Sequence, residues 1–335
     1  MTANKDMEFT DIYSFHCEYE KMKVVVKTFS NKNILELSRE TQPILEMYKA
    51  ILAHDYILYM HSGQSSYFIR RKDVHTIWQR KDLIQHGDLF YSLDQIPAEK
   101  ENKLAPKRLV VIFSPMPAKE HYHSANIAHR CFTTSFASMQ KHLVKNTIIM
   151  RIMDLNLSYG SHYINTFNYM EMESDIQNAI QFVMDSNHIA KDDVVLYGGS
   201  KGGTGALYHS LLGDYNSVTV DPIISIEQYN QENDLHYLRD FRKRSILNDL
   251  MKLANTETTK KRIIFGYPLI SFNYNLYSQI PSDSVEIHNV FDSSVHKHAD
   301  ISRNTIIEQI TCINELLLSS SNLHKIVEQI SALTE

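Results

Sequence analysis

The pattern of hydrophobic and polar positions divides this chain into two parts. In residues 1–105, the stretch 22–29 is apolar and β-branched at its centre and predicts a strand. Residues 33–53 carry Ile34, Leu35, Leu37, Ile44, Leu45 and Tyr48 at helical spacing, and Pro43 divides that helix. Residues 55–60 and 66–70 flank a short polar, Gly-containing segment and predict a hairpin. Residues 98–108 are polar and Pro-punctuated, which marks a boundary between an N-terminal α+β region (1–105) and a second domain (106–335). Beyond it the pattern becomes one of short apolar runs at 109–113, 147–153, 194–197, 218–220, 262–265 and 285–290. Helical stretches such as 175–184 and 204–212 lie between them, and residues 301–333 read as closing helices broken near 319–321. Strands alternating with helices in this way predict an α/β fold with a mostly parallel sheet covered on both faces.

Composition narrows the function classes. At 335 residues the chain has room for one large α/β domain and a small additional one. With 43% hydrophobic and 22% charged residues it has the balance of a soluble globular protein. A net charge of -5 provides no global attraction to nucleic acid or to an anionic membrane, so neither is an expected partner. The basic stretches at 70–72 and 80–81 read as solvated faces. Cys17, Cys131 and Cys312 are widely scattered, with neither disulfide nor zinc spacing, and suit a reducing compartment. Residues 1–15 lack an apolar signal core, and no run approaches the length of a transmembrane helix, so a cytoplasmic location is expected. His121-Tyr122-His123 has no carboxylate partner nearby in sequence, so no metal site is expected.

Candidate chemistry centres on Gly198-Gly199-Ser200-Lys201-Gly202, a G-x-S-x-G motif between the apolar run 194–197 and the helical stretch 204–212. Strand, sharp turn and helix around a serine is the context of a nucleophile elbow. The glycines suit it, because strand and helix approach closely there and the serine backbone is strained. The following helix would aim its free N–H groups at a developing oxyanion. A Gly-rich turn of this kind can instead cradle phosphate. Neither the Walker pattern nor G-x-G-x-x-G is matched, since Lys201 follows Ser200 and Gly198 is adjacent to Gly199.

A serine hydroxyl needs a base, and histidine is the natural one near neutral pH. In the order Ser–acid–His, the histidine follows the last strand. Residues 291–300 there supply His298, favoured because it precedes Asp300 and Ser302 at the start of a helix, and His296 as the alternative. The orienting acid is expected after the strand 262–265, yet residues 266–275 contain no carboxylate. Asp221, at the end of the preceding strand, is the best candidate, ahead of Asp283, Asp292, or an orienting amide or water. The oxyanion donors would be the Lys201 N–H and, from the loop after 109–113, that of Met116 or Ala118, because Pro115 and Pro117 have none. The Lys201 side chain reads as a surface lysine, or as a contact for an anionic substrate group. The polar, aromatic loop 154–163, with Asp154, Tyr159, His162 and Tyr163, is expected on the same rim, gripping sugar hydroxyls.

The glycine-rich elbow from Gly198 to Leu207, the loop 154–163 and the histidine loop 295–300 resemble the XcbB/CpsF family of bacterial capsular polysaccharide biosynthesis. More distantly they resemble serine-dependent capsule O-acetyltransferases and an acetyltransferase-like component of the accessory Sec system, which share an α/β-hydrolase core. The resemblance spans about residues 105–310. It implies Ser200 as nucleophile and His298 or His296 as base. It also implies a serine acyltransferase or esterase working on a capsular carbohydrate, with acetyl-CoA as acyl donor, no tightly bound cofactor, and other capsule-assembly proteins as partners. Two other classes stay open at this point: a non-catalytic assembly component, and a sugar- or phosphosugar-transferring enzyme whose Gly-rich turn holds phosphate.

Overall fold

The computed structural model describes residues 5–227, 241–254, 257–318 and 331. In chain order the N-terminal part holds β1 (Met7–Asp11), β2 (Lys23–Lys27), α1 (Ile34–Leu37), α2 (Gln42–Ala53), β3 (Tyr56–Ser62) and β4 (Ser65–Arg70). The helical stretch is divided as its sequence predicts. Asn33 caps α1 by accepting from the Leu35 and Glu36 N–H groups, and Pro43 sits in the first turn of α2, where a missing N–H costs nothing. β1 was not anticipated, because its pattern is polar and half-exposed; it pairs with β2 in parallel at the sheet edge. The four-stranded sheet runs β1-β2-β4-β3. Alternation along β2, β3 and β4 sends Val24, Val26, Leu58 and Phe68 towards α2, and Ile57 and Ile69 towards the larger sheet.

The larger sheet begins earlier than the polar boundary suggested. β5 (Leu83–His86) and β6 (Leu89–Asp94) precede that boundary, yet they pair into it, β6 antiparallel to β8. After them come β7 (Arg108–Phe113), α3 (Ile127–Cys131), β8 (Thr147–Met153), α4 (Met172–Asn187), β9 (Val194–Gly199), α5 (Lys201–Gly213) and β10 (Asn216–Val220). α6 (Leu247–Ala254), β11 (Arg262–Gly266), α7 (Ser271–Tyr277), β12 (Glu286–Asn289), α8 (His298–Asn304) and α9 (Ile306–Leu317) follow. The expected break near 319–321 and the rest of the closing helices to 333 lie outside the described residues, apart from Ser331.

Strand order is β12-β11-β10-β9-β7-β8-β6-β5, and pairing is parallel from β12 through to β8. Successive residues of the central strands go to opposite faces. Leu109, Val111, Leu196 and Met150 pack with α4, while Val110, Ile112, Val195 and Val218 pack with α9. Both faces are therefore covered, as near-continuous apolar parallel strands require. Arg71, expected on a solvated face, is buried instead: its guanidinium pairs with Asp55 at 2.9 Å and Asp88 at 3.2 Å and lies 3.5 Å above the Tyr169 ring.

Candidate active site

β9 ends at Gly199, and Ser200 stands between it and α5 with φ +55° and ψ −119°. A non-glycine residue in this region costs on the order of 1–3 kcal/mol and is held only by its surroundings. Ser200 N–H donates to the Val220 carbonyl at 2.8 Å, and Thr204 bridges α5 to the chain after β10 through Ile223. Two glycines allow the close approach. A Cβ on Gly198 would lie 2.2 Å from the Gly202 carbonyl oxygen, and one on Gly202 would lie 2.0 Å from that of Phe113.

The loop after β12 brings the histidine. Val295 and Ile301 anchor it in the core, and the Asp300 carboxylate accepts the N–H groups of His296 and Lys297, both at 3.2 Å. His298, the first residue of α8, is thereby set against the elbow, with its Nε2 2.7 Å from Ser200 Oγ. Its Nδ1 lies 2.5 Å from Asp221 Oδ2, and the Asp221 carboxylate is 1% exposed. A carboxylate only accepts, so Nδ1 carries the proton and Nε2 is left to accept from the serine hydroxyl. Asp221 leaves the end of β10 with φ +40°, and its N–H donates to the Phe265 carbonyl at 2.9 Å. Its other oxygen, Oδ1, accepts from the Tyr277 hydroxyl at 3.0 Å, a partner sequence reasoning did not anticipate. Burial, then the charge of Asp221, holds that phenol far above its ordinary range, so it stays a donor.

Other candidates are placed elsewhere. His296 is exposed, with only its backbone tied to Asp300. Asp283 is exposed, and Asp292 is used in a local turn with Ser294. Lys201 occupies the first position of α5, where its backbone N–H has no intrahelical carbonyl to bond. Met116 lines the pocket beside Ser200, whereas Ala118 is exposed and outside that lining.

The loop 154–163 departs from expectation. Asp154, Tyr159, His162 and Tyr163 are all at most 1% exposed and do not reach the rim. Lys201 is the reason. Its side chain is neither on the surface nor at the pocket but runs into the interior, 0% exposed, where Nζ donates to the Tyr159 carbonyl at 2.8 Å. Asp154 Oδ2 lies 3.4 Å from that ammonium, and the carboxylate also accepts the Ser161 and His162 N–H groups, each at 2.9 Å. A buried cation needs such a shell, so the polar loop folds inward around it. Burial, above all, holds the His162 imidazole well below its ordinary value and therefore neutral.

The cavity at Ser200 measures about 440 Å³. Pro115, Met116, Pro117, Tyr122, Val220 and Ile223 make its wall largely apolar, and its described lining contains no lysine or arginine. Serine, histidine and aspartate thus form one hydrogen-bonded chain at the mouth of an apolar pocket, on the carboxyl ends of β9, β10 and β12.

The fold is α/β-hydrolase-like. The chain order Ser200–Asp221–His298 is the order such folds use. No protein-family profile and no curated protein matches the sequence. Among solved structures, the capsule O-acetyltransferase of Neisseria meningitidis serogroup A is similar with a TM-score of 0.48 and 15% identity, over 71% of this chain and 94% of that one. A ferulic acid esterase gives 0.47 and 13%, over 70% and 97%. A Glycosylation Associate Protein (Gap123) complex from Streptococcus agalactiae gives 0.46 and 17%, over 71% and 46%. Among the described residues, no helix is long and apolar enough to cross a membrane.

Proposed function

We propose that this protein is a serine-dependent acyl-transfer enzyme, and the observation that carries the reading is the unbroken chain from Ser200 Oγ through His298 to Asp221. His298 Nε2 takes the hydroxyl proton as Ser200 attacks an ester or activated acyl carbonyl, and Asp221 stabilises the resulting imidazolium. The tetrahedral oxyanion is held by the Lys201 N–H and by the loop through Met116. Its collapse expels the alcohol or thiol, which takes the proton from His298, and leaves an acyl-serine. A sugar hydroxyl or water then attacks by the reverse sequence, giving an O-acyl carbohydrate or a free acid.

The apolar wall suits the acyl group. A charged donor such as acetyl-CoA would keep its phosphates outside this pocket, whose described lining carries no cationic lysine or arginine. The acceptor proposed from the sequence resemblance is a capsular polysaccharide or its precursor. Phosphate cradling is disfavoured, because the one lysine of the Gly-rich turn is sequestered with Asp154.

Fluorophosphonate labelling followed by peptide mass spectrometry tests the reading. Wild type and His296→Ala should label at Ser200, Ser200→Ala and His298→Ala should not, and Asp221→Asn should label on the order of 10³–10⁴-fold more slowly. A folded wild-type protein that fails to label would remove serine catalysis and favour the assembly-component reading.

A further inference from the structure

We propose that Tyr277 is the positioning residue of this site, holding the Asp221 carboxylate against His298 through its phenolic O–H; the inference rests on the serine-dependent reading above. Residues 266–275, directly after β11, where the orienting acid was expected, contain no carboxylate. That stretch instead leads into α7, whose last residue turns back to the acid supplied by β10. Each carboxylate oxygen then has its own donor, Tyr277 on Oδ1 and His298 on Oδ2. Rotation of the carboxylate breaks both bonds at once in a space closed to water, since Tyr277 is 0% and Asp221 1% exposed.

Room for the hydroxyl is specifically provided. A Cβ on Gly266 would lie 2.1 Å from Tyr277 Oη, so only glycine at the end of β11 admits the phenol. Among the described residues, the hydrogen-bond partners of the carboxylate side chain are His298 and Tyr277, and those of the imidazole are Asp221 and Ser200. By sharing the carboxylate's charge, the phenol also moderates its pull on the imidazolium proton. Without it, the carboxylate is a stronger partner for protonated His298 and a less constrained one.

The test is the second-order rate of fluorophosphonate labelling at Ser200 against pH, on the full chain, for wild type, Tyr277→Phe and Gly266→Ala. Tyr277→Phe should lower the plateau rate roughly tenfold, in keeping with loss of one hydrogen bond to a charged group. Its acid limb should move to higher pH, a change that packing loss alone does not produce. Gly266→Ala, by displacing the hydroxyl, should move the limb in the same direction. An unmoved acid limb in Tyr277→Phe overturns the proposal, whatever the plateau does. If wild type itself does not label, the serine reading fails separately. The NMR titration midpoint of His298, assigned with His298→Ala, then decides: a rise in Tyr277→Phe supports the positioning role, and an unchanged midpoint overturns it.

Discussion

Acid should destabilise this fold through a histidine that takes no part in the chemistry. His209 lies within α5, the helix that follows Ser200, and is 0% exposed. Its Nε2 faces the Tyr163 carbonyl at 2.8 Å and its Nδ1 faces the Gln177 side-chain amide nitrogen at 3.0 Å, with the ring stacked on Phe113. The carbonyl can only accept and the amide NH₂ can only donate, so Nε2 carries the proton and Nδ1 has none. Protonating Nδ1 would set two donors against each other in the interior. Burial outweighs the Tyr163 hydrogen bond and lowers this imidazole to about 4. The sign follows from linkage. Above the ordinary histidine value of about 6.5 the ring is neutral in both states; as pH falls towards 4 the unfolded chain gains a proton that the folded one does not, and stability drops. At about 1.4 kcal/mol per pKa unit, the loss between pH 7.5 and pH 4 is about 3 kcal/mol. That is a large part of the about 5–15 kcal/mol typical of a folded domain. Urea unfolding of wild type and His209→Gln at a series of pH values isolates the term, since all other titrations are common to both. The variant should lose about 3 kcal/mol less than wild type across that interval. Parallel curves would refute the argument. The pH dependence of Ser200 labelling should be the same in both proteins.

Two further changes probe what holds the elbow. Lys201→Met leaves Asp154 buried without its cation and should cost roughly 3–5 kcal/mol in chemical unfolding; Lys201→Met with Asp154→Asn should recover part of that loss, and no recovery would show that the two side chains are not coupled. Gly202→Ala drives a methyl into the Phe113 backbone carbonyl, which cannot rotate away, so unfolding should become easier by roughly 1–3 kcal/mol. Its fluorophosphonate labelling should fall more steeply than its stability, because the loop after β7 that faces the serine must shift.

Much of this molecule was decided locally and so was legible in the chain. Runs such as 109–113 and 194–197 are strands because they are short, apolar and bounded by turns, and their burial on both sides made a covered parallel sheet the one solution. The elbow was equally legible, since Gly198 and Gly202 leave room that no other residue could. Asn33 and Pro43 wrote their own helix starts. Three-dimensional packing decided the rest. The sequence favoured His298 over His296, two residues apart on one loop, because it precedes a helix start, but kept both; in the fold the start of α8 directs His298 inward and leaves His296 exposed. The partnership of Tyr277 with Asp221 joins residues from α7 and the end of β10, and a lone buried tyrosine carries no local signal of such a bond. Lys201 misled for the same reason. A lysine beside a catalytic motif reads as surface or substrate contact, but its length let it reach the interior, and burying its charge drew Asp154 and the whole loop 154–163 inward with it. Local pattern sets where strands, turns and helices form, because those preferences act over a few residues. Which polar groups meet is set by desolvation across the fold, where a charge must find its partner wherever in the chain that partner lies.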